Sequence, residues 1–153
     1  MPVIRPAVPA DEAFLIALTP RLADFPVPPW RTREEIAVAD HAILREALRQ
    51  PSADACILVA EEPAGTPVGY AFTTTRTDYF THELHAHVEV LAVSESAAGR
   101  GVARALMDAT EQWARERGYR RITLNVFERN AHARAVYDRL GYAPETLHYI
   151  KQL

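Results

Sequence analysis

In "VLAVSESAAGRGVARALM", residues 90–107, the apolar pattern changes from the alternation of a strand to the i, i+3, i+4 spacing of a helix, and the bend between holds Gly99 and Gly101. A strand that turns into a helix through a short bend commits the chain to a mixed α/β architecture, because the helix must cover the sheet to which its strand belongs. Val102, Ala105, Leu106, Ala109 and Trp113 form the stripe of that helix, and Gly118 stops it.

The segments on either side fit the same class. "PVIRPA" is a short strand closed by Pro6, and Asp11 offers an N-cap for a helix through Leu18. The three prolines of "FPVPPW" make a rigid loop, after which Thr32 and Glu35 form a capping box for one long helix reaching Gln50. "CILVAE" (56–61) and "PVGYAFTTTR" (67–76) form a hairpin, and a third strand from His85 to Val93 pairs with the second. After the Gly118 helix, "RITLNVF" is a strand with Ile122, Leu124 and Val126 on one face. "NAHARAVYDRLGY" is a helix capped by Asn130 and closed by Gly141, and residues 146–152 are a last strand. No internal repeat or low-complexity linker interrupts this order, so the 153 residues are expected to make one α/β domain with a mixed sheet.

Composition narrows the function. A net charge of −3 gives no general attraction to nucleic acid or anionic lipid, and no apolar run is long enough to span a bilayer. The N-terminus lacks the apolar segment of a signal peptide. The single cysteine, Cys56, has no partner for an internal disulfide and reads as a core residue, so a cytoplasmic setting is expected. His82, His85 and His87 have no third ligand at a defined spacing, and no metal site is expected.

The bend itself points to an anion. Unpaired N–H groups at a helix start, together with the helix dipole, attract phosphate, and small residues let it approach the backbone. Gly101 and Ala103 permit that approach, while Arg100 and Arg104 add positive charge. The same glycines also serve a tight turn with no ligand. A nucleotide P-loop needs Lys followed by Ser or Thr, which is absent, and a dinucleotide fingerprint needs Gly or Ala where Arg104 stands. ATP and NAD are therefore set aside.

These residues, with "NVFERNAHARAVYDRLGY" at 125–142, resemble the GNAT superfamily of acetyl-CoA-dependent N-acetyltransferases. The resemblance implies the GNAT-type acyl-CoA N-acyltransferase fold, acetyl-CoA as co-substrate and no metal, a small-molecule or peptide amine as acceptor, and a homodimer as an allowed state. It implies that coenzyme A is held by Leu91, Ala92 and Val93 of the strand, by Ala98, Gly99, Arg100, Gly101, Val102, Ala103 and Arg104 of the loop, and by Asn130, Ala133 and Tyr137 of the second helix. Ala98 stands where the family has Gln or Arg, which removes one side-chain contact. A coenzyme A-binding module without chemistry is therefore the other reading.

Acetyl transfer to an amine needs an uncharged amine, a stabilised oxyanion and a proton for the leaving thiolate. Tyr137 lies seven residues after Asn130, nearly two helical turns, so the pair should share a face about 10 Å apart. The resemblance makes Tyr137 the candidate general acid; core packing and a plain N-cap are the structural alternatives for the two residues. Glu89 is placed on the strand face of Leu91 and Val93, a carboxylate in apolar company, and is the candidate general base; a salt-bridged Glu is its alternative. His87 falls on the Glu89 face as a second proton carrier. Tyr79 and His85, in and beside the turn "TDYFTHELHA", and Trp30 after the proline loop are candidate acceptor contacts, and Asp78 and Glu83 are charges that would attract a cationic amine.

Overall fold

The β-branched and aromatic runs pair in the order in which they occur. In the computed structural model, which describes residues 1–153, the strands β1 (Val3–Pro6), β2 (Ala55–Glu61), β3 (Pro67–Thr77), β4 (Leu84–Val93) and β5 (Ile122–Leu124) form one sheet in the order β1-β2-β3-β4-β5. The first four pair antiparallel, and β5 joins β4 in parallel. Helix α1 (Glu12–Leu18), α2 (Arg33–Val38) and α3 (His41–Arg49) come before β2; α4 (Val102–Glu116) connects β4 to β5, and α5 (Ala131–Arg139) follows.

Each face of the sheet carries its own core. On one, Leu15 and Leu18 of α1 and Leu44 and Leu48 of α3 pack on Val59, Tyr70, Phe72, Val90 and Ala92. On the other, Val102 and Leu106 of α4 pack on Ala60, Val68 and Ala71, with Leu91 and Val93 beside them. Helix α4 lies so close to the sheet that a Cβ on Gly69 would stand 3.2 Å from Val102 Cγ1 and 3.3 Å from Leu106 Cδ1, and the carbonyl oxygen of Ala92 on the neighbouring strand would lie 2.9 Å from it.

Four local expectations change. The long helix from Thr32 to Gln50 is two helices broken at Ala39–Asp40, although the Thr32/Glu35 capping box forms as read. The break follows from what each half covers: α2 has no buried residue, whereas α3 must lay Leu44 and Leu48 on the sheet. Asp11 does not cap α1; its carboxylate takes the Val8 N–H at 2.8 Å and binds the Arg5 guanidinium at 2.7 and 2.9 Å. Strand β5 stops at Leu124, and Val126 and Phe127 leave the sheet, Phe127 packing against Phe25 with ring centres 5.1 Å apart. Residues 146–152 are not a strand: Leu147 is 76% and Tyr149 85% exposed, because an apolar pattern without a ladder partner has nothing to pair with.

Candidate active site

The site begins with an irregularity in β4. Phe72 pairs with Val90 and Thr73 with Val88, which leaves Glu89 as an extra residue in a β-bulge. The bulge turns Glu89 toward the face of Thr74, whose hydroxyl donates to Glu89 Oε1 at 2.7 Å, and away from Leu91 and Val93 on the α4 face. Arg76 Nη2 reaches both oxygens of the same carboxylate, at 2.8 and 3.0 Å. The expected apolar company of Glu89 is thus corrected to an ion pair, since the extra residue changes which neighbours it meets.

Past the bulge, β4 loses its neighbour. The parallel pairing with β5 covers only Ala86, His87 and Val88 against Ile122, Thr123 and Leu124. Ser94 N–H donates to the Val68 carbonyl on the β3 side, so by the alternation of an antiparallel ladder the amides of Val93 and Leu91 face the opened side. Arg21 Nε occupies one of the groups displayed there, donating to the Val93 carbonyl at 3.1 Å.

The splay widens into a cleft of about 670 Å³ whose far wall is the start of α4 and one side of α5. Gly99 and Gly101 both take left-handed backbone angles, φ 74° and 81°, and Gly101 is the N-cap of α4 with no side chain capping the helix. Nothing lies within 4 Å of where a Cβ at either glycine would be, so the left-handed backbone angle by itself explains the residue type. No side chain caps the first amides of this helix and the two glycines before it leave open space beside them, which meets the physical requirement for a phosphate group.

Most of the residues singled out in the sequence meet in this cleft. Glu89, Leu91, Ala92, Val93, Ala98, Gly99, Gly101, Val102, Ala103, Arg104, Asn130, Ala133 and Tyr137 all line it. Asn130 Oδ1 accepts the Ala133 N–H at 3.1 Å, so the residue caps α5 and lines the cleft at once. Burial raises the Tyr137 phenol to about 12, and it keeps its proton through neutral pH.

Others lie elsewhere. Arg100 turns away to Glu62, 2.8 Å from its carboxylate. Tyr79 is 85% exposed and stacks edge-on against Phe80, and Trp30, 40% exposed, is not a wall of the cleft. His85 and His87 share the Thr123 hydroxyl, at 3.1 and 2.7 Å, below the point of splay. Burial first and Arg76 second depress the His87 imidazole below its ordinary value; Glu89 opposes them and His85 adds to the depression. Asp78 accepts from the amides of Phe80 and Thr81, and Glu83 lies 3.6 Å from Arg120, so both serve the β3–β4 turn.

The cleft also contains residues that the sequence did not single out: Arg21, Asp40, Asn125, Phe127 and His132. Asp40 was hidden inside a helix expected to be continuous. Burial, with the Glu89 charge adding to it, raises the Asp40 carboxyl above the usual carboxylate range, against Arg76 and His41. Arg76 carried no local signal, because only the β3–β4 register brings it to Glu89.

A mixed sheet that opens between parallel strands beside a glycine-bent helix start has the fold of an acetyltransferase. The chain belongs to the acetyltransferase (GNAT) family, whose family model matches residues 16–142. It is 33% identical to a mycothiol acetyltransferase of Salinispora tropica over 99% of this chain and 51% of that protein. A mycothiol acetyltransferase of Beutenbergia cavernae is 43% identical over 40% of this chain and 20% of its own length. The chain thus spans about half the length, or less, of the curated relatives it matches. Among solved structures, AAC(6')-Iy in complex with the bisubstrate analog CoA-S-monomethyl-acetylneamine has the same fold, with a TM-score of 0.72 at 22% identity, covering 100% of this chain and 99% of that one. Glucosamine-6-phosphate N-acetyltransferase from Arabidopsis thaliana also has a TM-score of 0.72, at 17% identity and covering 99% and 98% of the two chains.

Proposed function

We propose that residues 1–153 form one N-acetyltransferase unit that moves an acetyl group from acetyl-CoA to a primary amine by direct attack in a ternary complex. The observation that carries this reading is that one cleft collects a side-chain-free helix start, the unpaired edge of β4 and the Asn130/Tyr137 side of α5. In this reading the amides of the Gly99–Arg104 segment receive the pyrophosphate, with Arg104 adding charge, and the Asn130 side-chain amide meets the pantetheine arm. The amides of Leu91 and Val93 bind pantetheine and polarise the thioester carbonyl, so that charge developing on its oxygen meets fixed donors. The neutral amine attacks the carbonyl carbon, a proton leaves the nitrogen toward Glu89, directly or through water, and the departing thiolate takes its proton from Tyr137.

Release of coenzyme thiol against a panel of amino sugars, aminoglycosides, polyamines, amino acids and peptides tests the reading. The names of structural neighbours, a glucosamine-6-phosphate N-acetyltransferase and an aminoglycoside antibiotic 6'-N-acetyltransferase, supply the first two members of that panel, and a small polar amine is the expected acceptor. Steady, amine-dependent release supports the assignment. A coenzyme-dependent rise in melting temperature with no release from any amine would instead leave a binding module without chemistry. Sedimentation of the same preparation reads out whether a homodimer forms.

A further inference from the structure

We infer that Asp40 is the specificity residue for the acceptor: its carboxylate receives the ammonium group of a cationic amine, which gives up one proton to solvent before its neutral nitrogen attacks. This rests on the acetyltransferase reading above and names the class of amine it takes.

Asp is among the strongest helix N-caps, because its carboxylate normally accepts the first free amides of the helix. Asp40 occupies that place before α3, yet its side chain makes no capping hydrogen bond. It forms no salt bridge either, and it lines the cleft on the same side as Glu89. The other charges of this half are already matched. Arg21 is paired with Asp24, Arg31 lies 4.0 Å from Glu35, and Arg76 is committed to both oxygens of Glu89. Asp40 is therefore the negative charge in the acceptor half that is left without a partner, and a half-buried carboxylate is costly until a cation or donor reaches it.

A second group marks the same spot. Tyr70 is fully buried on the sheet face below, its hydroxyl has no hydrogen-bond partner, and Asp40 lies near enough for its charge to add to the rise in the Tyr70 pKa that burial causes. A fully buried hydroxyl without a partner is uncommon in a folded interior, and this one lies near a half-buried carboxylate that no protein donor reaches. An ammonium group, which carries three donors and no acceptor, fits the Asp40 carboxylate. An uncharged amine gains much less there.

The test uses the best acceptor found for the wild type. The Asp40→Asn variant, nearly isosteric, should raise the KM for that amine at least about tenfold and leave the KM for acetyl-CoA within about twofold. Asp40→Glu, which keeps the charge, should stay near the wild type. A coenzyme-dependent rise in melting temperature equal to that of the wild type certifies the fold of each variant. In the wild type, the alcohol analogue of the acceptor should inhibit at least about tenfold more weakly than the amine binds, a readout independent of any variant's folding. An unchanged amine KM in Asp40→Asn, a loss confined to kcat, or equal binding of the alcohol overturns the assignment and leaves the acetyltransferase reading intact. Failure of the wild type to acetylate any amine overturns both.

Discussion

Arg76 of β3 grips both carboxylate oxygens of Glu89, the residue of β4 left over where the register between the two strands slips. The side chain of Glu89 is 12% exposed and that of Arg76 is 47% exposed, so the pair points a mostly buried carboxylate into the cleft from a partly solvated anchor. A carboxylate held this way has a fixed direction.

The expected consequence concerns turnover. Glu89→Gln should lower kcat by about 100-fold or more, the usual worth of a positioned general base, with coenzyme affinity within about twofold. Arg76→Gln leaves the carboxylate in place and should retain most of the rate. Steady-state kinetics of both variants decide the matter, because equal losses would mean that the pair only braces the bulge.

Tyr137 stacks edge-on with Tyr142, ring centres 5.9 Å apart, a contact that Phe can keep. Tyr137→Phe is expected to slow transfer at least about tenfold while coenzyme binding and melting temperature stay near the wild type. Calorimetric titration beside the rate assay checks this, and undiminished turnover removes the proton-donor role.

Gly101 adopts φ 81° with open space around it. Gly101→Ala should therefore cost about 1 kcal/mol through backbone strain alone, since no neighbour is struck. Coenzyme affinity should fall further than this, because the bend aims the amides of the α4 start. Urea unfolding with and without coenzyme A separates the two effects.

At Gly69 the problem is space. A Cβ would meet the Ala92 carbonyl oxygen at 2.9 Å and Leu106 Cδ1 at 3.3 Å, and a backbone oxygen in the middle of a sheet has little room to move. Gly69→Ala is expected to cost about 1–3 kcal/mol, visible as a lower urea midpoint. A midpoint at the wild-type value would show that the neighbouring strand and α4 both yield to the methyl group without penalty.

Acid stability should depend on Asp11. The Arg5 side-chain hydrogen bonds hold its carboxyl below the ordinary value of 3.8, burial opposes them, and the Val8 amide adds to the lowering. Its stabilising contribution is thus full above 3.8 and is lost as the pH falls through the depressed folded value. Asp11→Asn should cost about 2 kcal/mol at neutral pH, much less at pH values below the folded pKa, and flatten the acid limb of a stability-against-pH curve. Thermal melts between neutral pH and strong acid measure it.

The wall of the cleft built by the starts of α4 and α5 was legible in the sequence because its signals are local. Gly99 and Gly101 are needed for backbone angles within one turn of chain, Asn130 caps the helix it begins, and Tyr137 follows at a spacing that any helix fixes. Each of these requirements is met by residues a few positions apart, so periodicity and residue type carry them.

On the other side of the cleft only Glu89 was legible, because the arrangement around it arises where distant segments meet. Glu89 faces Arg76 only because one residue of β4 is left over when it pairs with β3, and one extra residue moves a side chain to the other face of a sheet. Asp40 enters the cleft only because α3 must bury Leu44 and Leu48, which breaks a helix that the capping box and the sequence pattern made look continuous. Residues 146–152 read as a strand and form none, since a ladder needs a second chain segment at hydrogen-bonding distance. Local backbone chemistry was written into the sequence; strand register, the helix break and the charges they bring together were decided by packing between parts of the chain that no short-range pattern connects.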